Sequence, residues 1–289
     1  MSLAASELIL NPDGTIYHLN LAPGDIASTI ITVGDPDRVT SITRHFDSIE
    51  VAVQKREFKT QTGMYRGKKL TVISTGIGTD NIDIVFNELD ALVNIDFDRR
   101  KVKEQHTPLQ FIRIGTSGAI QKDIPVDSWL VSEKAIGFDN LIWFYAGKAL
   151  LEEDFAEAFM THMQWSEQKA SPYVVAADVS LQKLFQQDSF THGVTATNVG
   201  FYGPQGRRLR LALEDAEMNQ KLGAFEFQQQ RITNLEMETS GIYAMSKLLG
   251  HSAISLNAIL ANRATGAFSN HPEKTIDRLI IHTLETLVS

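Results

Sequence analysis

Three short segments set charged or hydrogen-bonding side chains where apolar runs end. In Val33-Gly-Asp-Pro-Asp-Arg-Val39 the run stops on Gly34, Pro36 stands at a plausible helix start, and Arg38 follows within the first turn. A backbone without Cβ, helix N-terminal N–H groups and a guanidinium together suit a small anion. The same residues also fit a plain turn with Asp35 as the helix cap and Arg38 in solvent. In Phe111-Ile-Arg-Ile-Gly-Thr-Ser-Gly-Ala-Ile120 a lone Arg113 sits inside an apolar strand pattern, followed by Thr116, Ser117 and glycines. A buried guanidinium needs an anion or several acceptors, so either a bound ligand or a structural carboxylate must answer it. In Asn234-Leu-Glu-Met-Glu-Thr-Ser-Gly241, Glu236 and Glu238 are two apart. On a strand that spacing puts both on one side, roughly 6.5 Å apart along the chain. Paired carboxylates suit acid/base work or a grip on adjacent sugar hydroxyls, unless Glu238 only complements the dipole of the helix that follows.

Other signatures are missing. Ser74-Thr-Gly-Ile-Gly-Thr-Asp-Asn81 follows a strand and opens a helix, but a dinucleotide fingerprint would need glycine at position 81. No phosphate-binding Walker loop, His-Glu-x-x-His pair, calcium loop or Gly-x-Ser-x-Gly elbow occurs, and the 8 histidines lack metal spacing.

The elements that must carry these segments alternate along the chain. Thr29–Gly34 reads as a strand, Pro36 to about His45 as a short helix, and Glu50–Gly76 as strands with a turn near Arg66–Lys69. Asp80–Ile95 is helical, with Ile82, Val85, Phe86, Leu89, Leu92 and Val93 on one face. Gln110–Gly115 is a compact buried strand, a further strand falls near Ser128–Ala135, and the charged Phe97–Pro108 is an exposed loop or helix end. The later half continues with strands at Gly193–Asn198, Ile232–Met237 and Ser252–Asn262, and helices at Gly241–Gly250 and Pro272–Leu287. This rhythm predicts a three-layer α/β sandwich around a largely buried sheet, and without a linker or repeat the whole of 1–289 reads as a single domain. The 289 residues are 43% hydrophobic, enough for a large core, and the net charge of −8 disfavours nucleic acid as a partner. With no cysteine, disulfides and thiolate metal sites are excluded. No signal segment or apolar span is evident, so no membrane partner is expected and the cytoplasm is the expected compartment.

Taken together the segments resemble the uridine phosphorylase branch of the nucleoside phosphorylase family. The likeness rests on Tyr17-His-Leu-Asn-Leu21, Val33–Val39, Lys55-Arg-Glu-Phe-Lys-Thr60, Arg113–Ile120, Phe201-Tyr-Gly-Pro-Gln-Gly-Arg207, Asn234–Gly241 and Asn262-Arg263, in order. It implies a single α/β domain around a distorted mixed central sheet, assembled as homodimers or as hexamers built from three dimers. It further implies that Gly34, Arg38, Arg113 and Thr116 hold phosphate, with Arg56 reaching the phosphate of a neighbouring subunit. His18 would cross the same interface to the ribose 5′-hydroxyl, Met237 and Glu238 would hold the ribose with Glu236 close by, and Phe201, Gln205, Arg207 and Arg263 would meet the base. Arg113, Arg207 and Glu238 would then carry catalysis. The implied reaction is phosphorolysis of uridine to uracil and ribose 1-phosphate, with inorganic phosphate as co-substrate and no cofactor. A monovalent cation site would map onto Glu57, Ile77 and Asn81, where Asn81 replaces the usual serine. The Gly-Pro-Gln-Gly order inverts the proline and glycine of bacterial members, and Phe97–Pro108 and Asp215–Gln230 are extended. Rival readings are a purine nucleoside phosphorylase, a purine nucleosidase that uses water, and a catalytically silent nucleoside-binding protein.

Overall fold

The computed structural model describes residues 2–289. In chain order the elements are β1 (Thr29–Val33), α1 (Pro36–Thr43), β2 (Ser48–Lys55), β3 (Phe58–Tyr65), β4 (Lys68–Ser74), α2 (Thr79–Asn94), β5 (Ile95–Asp96) and β6 (Lys101–Val102). Then come β7 (Gln110–Ala119), β8 (Trp129–Gly137), α3 (Glu153–Met163), β9 (Tyr173–Ala176), α4 (Val179–Leu184) and β10 (Phe190–Thr197). The chain ends with α5 (Met218–Ala224), β11 (Glu226–Phe227), β12 (Gln230–Glu236), α6 (Thr239–Leu248), β13 (Ser252–Asn262), β14 (Ala267–Phe268) and α7 (Pro272–Val288).

The main sheet runs β11-β12-β10-β8-β13-β7-β1-β4-β3-β2, and β12 also pairs with β7. That extra pairing sets Asn234 opposite Ala119 and Leu235 opposite Gly118, so β7, β13, β8, β10 and β12 close into a ring. The sheet is mixed: β1 is parallel to β4 and β7, whereas β3 is antiparallel to β2 and β4. This is the distorted mixed sheet that the family resemblance implies.

Alternation along the central strands builds the layers, because successive side chains leave opposite faces. Ile30, Phe111 and Ala253 pack with Phe86 of α2 and Tyr243 of α6. Their neighbours Ile31, Ile112 and Ile254 pack with Val39 of α1 and with Leu279, Ile280 and Leu284 of α7. A third cluster joins Phe155 and Phe159 of α3 to Leu222 of α5 and Ile232 of β12. Among the described residues no helix is long and apolar enough to cross a membrane.

The sequence placed most of these elements within two or three residues. Differences have specific physical causes. The strand expected to stop at Gly115 continues to Ala119, because β13 stays paired with it as far as Asn262 opposite Ala119. The charged stretch after Phe97 is not wholly loop: Lys101–Val102 forms a small ladder with Ile95–Asp96. α3, β9 and α4 lie in a region the sequence reading left unassigned.

One close backbone approach governs the edge hairpin. The register of β2 against β3 shifts between Ile49 and Val51, opposite Gly63 and Thr62. A Cβ on Gly63 would stand 1.9 Å from the Ser48 carbonyl oxygen, a backbone atom that cannot rotate away. Gly63→Ala should therefore push β2 outward and destabilise the protein by about 1–3 kcal/mol, read as a lower midpoint in urea unfolding.

Candidate active site

The three singled-out segments meet at one end of the closed part of the sheet. β1 stops at Val33, and Asp35 caps α1 by accepting the Asp37 N–H at 2.9 Å, with Pro36 opening the helix. The turn is thus capped as the plainer reading had it, yet Arg38 is not in free solvent. It is partly buried, and among the described residues its guanidinium makes no hydrogen bond or ion pair. Burial, then the nearby Arg113, push its pKa down, while Asp35 and Glu238 pull the other way.

Arg113 lies on β7 with its guanidinium folded over Gly115. A Cβ there would stand 1.7 Å from Nη1, so the strand needs glycine at this position. Nη2 donates to Glu238 Oε2 at 2.6 Å and lies 3.1 Å from Glu236 Oε2. Nη1 donates to Asn257 Oδ1 on β13 at 3.0 Å. Burial alone would lower the pKa of Arg113, but Glu236 and Glu238 together hold it above the ordinary value. Two carboxylates thus already answer the charge of Arg113. It still borders the same cavity as Arg38.

Glu236 and Glu238 do converge, but with separate duties. β12 ends at Glu236, whose Oε2 accepts the N–H groups of Glu238 and Thr239, both at 2.9 Å. Its Oε1 takes the Thr197 hydroxyl at 2.6 Å. Glu236, not Glu238, is thus the acceptor that caps α6, and its oxygens are occupied. Among the described residues Glu238 is bound only by Arg113 and, at 2.9 Å, by the N–H of Gly78 at the start of α2, so it keeps lone pairs for a ligand. Burial raises its pKa, the Arg113 charge lowers it, and Glu236 raises it again; the outcome is upward.

A cavity of about 340 Å³ runs past these groups. Gly34, Arg38, Arg113 and Thr116 border it together with Glu236, Met237 and Glu238, and Phe201, Gln205 and Arg207 complete its wall. The Gln205 side chain is 2% exposed, and its Oε1 accepts from Arg207 Nη1 at 2.6 Å. Arg207 lies across one face of Phe201, 3.8 Å from the ring centre, which leaves the other face open to a ligand. Burial and the neighbouring Arg263 push Arg207 down to about 10. Among the described residues no carboxylate pairs with it.

Other expected residues lie elsewhere. Arg263 donates to the Gly206 carbonyl at 3.2 Å and borders a separate cavity of about 510 Å³ behind the loop, not the one that Arg207 lines. His18 and Arg56 do not border the cavity of their own chain. They flank Tyr17, whose ring takes the Arg56 guanidinium at 5.9 Å, and His18 Nδ1 is 2.6 Å from Glu88 Oε1. Glu57 and Asn81 do meet, but Asn81 turns its amide Nδ2 to Glu57 Oε1 at 3.2 Å. Asp90, His106 and His251 also cluster. His251 Nδ1 accepts the Leu109 N–H at 3.1 Å, so the proton is on Nε2, which faces Asp90 and is not free to ligate. A cavity of about 840 Å³ lies beyond Gly78, with the buried Asp139 on its wall. Asp139 accepts from Leu141 N, Tyr173 and Ser240, which accounts for a carboxylate that burial pushes up.

Asn257 was not foreseen as part of this site, whereas Gly78 and Gly115 lie in glycine-bearing segments that the sequence had marked for close backbone approach. A signal existed for Asn257: like Arg113, it is a polar residue within an apolar strand run.

Comparison with known proteins gives a consistent result. The family model described as the phosphorylase superfamily matches residues 28–283. A uridine phosphorylase from Thermococcus kodakarensis is 28% identical over 272 residues, covering 91% of this chain and 83% of the relative. A DeoD-type purine nucleoside phosphorylase from Shewanella amazonensis is 24% identical, covering 94% and 98%. The crystal structure of a Trypanosoma brucei nucleoside phosphorylase that shows uridine phosphorylase activity superposes with a TM-score of 0.86 at 30% identity, covering 97% of this chain and 99% of that one.

The unpaired Arg38 gives a direct test. An uncompensated, partly buried cation costs stability unless an anion joins it. Arg38→Met should unfold at a temperature equal to or above that of the parent in anion-free buffer. It should also lose the stabilisation that phosphate or sulfate gives the parent; an unchanged anion response would remove Arg38 from the site.

Proposed function

The chain belongs to the phosphorylase superfamily, and on that premise we propose that it cleaves uridine with inorganic phosphate, giving uracil and ribose 1-phosphate. The observation that carries this reading is the set of groups that border one cavity: a guanidinium without a partner, a carboxylate with free lone pairs, a buried amide and a second guanidinium without a carboxylate. These suit an oxyanion, sugar hydroxyls and the edge of a pyrimidine.

Phosphate lies against Arg38, the Gly34 backbone and the Thr116 hydroxyl. Arg113 borders it and fixes Glu238. Glu238 accepts the ribose hydroxyls, with Met237 beside the sugar. As the C1′–N1 bond lengthens the sugar gains oxocarbenium character, as in glycoside cleavage. A phosphate oxygen then bonds to C1′. The electron pair of the broken bond leaves on uracil, spread over N1 and the two carbonyl oxygens, and solvent returns a proton. Arg207 meets that negative charge, with Gln205 on the base edge, so their interaction strengthens as the bond breaks. No cofactor is needed, and no step runs through a cation at Glu57.

The base side favours pyrimidine over purine. Protonating a purine ring nitrogen calls for an acid, and the wall next to the base is Leu260, Ala261 and Phe268, with Arg207 uncompensated. An uncompensated cation stabilises a departing anion. We assign the protein to the cytoplasm and to pyrimidine salvage. We further read the active site as shared between two copies, with His18 and Arg56 of one serving the ribose and phosphate of the other.

Phosphate-dependent cleavage should rank uridine above inosine and adenosine; faster inosine cleavage would overturn the pyrimidine assignment, and equal rates without phosphate would indicate a nucleosidase. Arg207→Ala should cut uridine turnover about 100-fold, as for loss of one donor to a developing anion, with little change in the KM for phosphate. Glu238 must be ionised to accept two hydroxyls and its pKa is raised. kcat/KM for uridine should therefore fall with decreasing pH along a limb that lies above the ordinary carboxylate range.

A further inference from the structure

The loop that carries Gln205 and Arg207 has an unusual Gly-Pro-Gln-Gly order, and the structure supplies its counterpart. Gly203–Gln205 forms a single 3-10 turn that ends on Gly206 at φ 67° and ψ 25°. That left-handed conformation is open to glycine without strain. Asn219, in the first turn of α5, lies under it. A Cβ on Gly206 would stand 2.7 Å from Asn219 Nδ2 and 2.9 Å from its Cγ. Nδ2 donates to the Gln205 carbonyl at 3.1 Å. Asn219 Oδ1 is buried without a hydrogen-bond partner among the described residues, a cost of about 1–3 kcal/mol that a purely packing residue would not need to carry.

α5 is a firm base for such a brace. Its Met218 and Leu222 sit in the core with Phe155 and Phe159. In the chain between Arg207 and α5, Leu209 and Leu211 are both 72% exposed, and Asp215 is tied back to Lys221 of α5 at 2.8 Å. Asn219 itself borders the cavity behind the loop and not the one in front, so it does not touch a ligand there.

We propose that Asn219 is a positioning residue for base recognition: it fixes the Gln205–Gly206 peptide and thereby aims the Gln205 amide and the Arg207 guanidinium into the front cavity. This rests on the reading of that cavity as a nucleoside site.

Asn219→Asp is the sharpest test. The side chain keeps its shape, and an acid in the first turn of a helix is tolerated, which offsets part of the cost of the lost hydrogen bond, so the variant should still fold, with a modestly lower Tm. It loses the donor to Gln205 and sets a carboxylate against that carbonyl. The KM for uridine should rise about tenfold, the scale of one lost hydrogen bond, while the KM for phosphate stays within twofold. The gap to the parent should narrow at acid pH, where the introduced carboxyl regains a proton to donate. An unchanged uridine KM overturns the proposal, and so does a parallel rise for phosphate. Amide hydrogen exchange at Gly206 and Arg207 in the ligand-free protein decides the matter independently of turnover: faster exchange in the variant supports the brace, and equal exchange removes it. Should the parent fail to cleave uridine, the functional reading falls while the exchange result still judges Asn219. Asn219→Ala, read the same way, covers the case in which the aspartate variant does not fold.

Discussion

A guanidinium inside a sheet must be answered in place, and the rest of this site is arranged around how Arg113 is answered. One terminal nitrogen reaches both Glu236 and Glu238, and the other reaches Asn257. Three strands of the closed ring are thereby tied at one point, since Arg113 is on β7, Glu236 ends β12 and Asn257 is on β13. Removing one partner of such a buried pair typically costs about 3–5 kcal/mol, because the other charge is left uncompensated. Two carboxylates against one cation leave a negative excess. The start of α6 absorbs it on Glu236 through the N–H groups of Glu238 and Thr239, and Gly78 at the start of α2 does so on Glu238.

With the inner charges settled, the unsettled ones are those that face the cavity. Arg38 and Arg207 both stand partly out of water without a carboxylate, and burial heads the causes that lower each. A fold carries such a cost where a ligand removes it. Water as the attacking reagent would give Arg38 nothing to pair with, whereas a phosphate dianion would. At the other end a neutral base does little for Arg207, and a departing anionic base does much. The electrostatic layout thus favours phosphorolysis over hydrolysis, and pyrimidine departure as an anion over purine departure after protonation.

The sequence made the central elements legible because their signals are local. Compact apolar runs marked β1 and β7, the Pro36 start marked α1, and the apolar stripe of Ile82, Val85, Phe86 and Leu89 marked α2. The chemistry-bearing residues stood out for the same reason: a charge within an apolar run is visible without a structure. What stayed hidden depends on distant parts of the chain. The length of β7 is set by β13, more than a hundred residues later. That Glu236 and Glu238 would both reach Arg113 could not be read from a spacing, although a structural carboxylate was one of the two answers open. Glu236 and Glu238 were expected to share one role because strand geometry sets them on one side. The strand ends between them, so one became a helix cap and the other kept free lone pairs.

The groups that do not border the cavity carry an argument of their own. Arg56 adopts φ 56° at the tip of the β2–β3 hairpin, a left-handed conformation that costs a residue with Cβ roughly 1–2 kcal/mol. Its exposed guanidinium rests on Tyr17, and Lys55 holds the Tyr17 carbonyl at 2.6 Å. The next residue, His18, is fixed through its backbone N–H and Nδ1 by Glu88, which also accepts the Leu19 N–H at 2.8 Å. With Nδ1 engaged, Nε2 is the ring atom left for a ligand. So a strained arginine and a histidine of set orientation are presented outward from one surface, although neither serves the cavity of its own chain. The tight two-residue turn between β2 and β3 itself calls for positive φ, so what is left to explain is the exposed guanidinium and the set orientation of His18. Both make physical sense where a second copy brings its own cavity against that surface, which is the arrangement the shared-site reading requires.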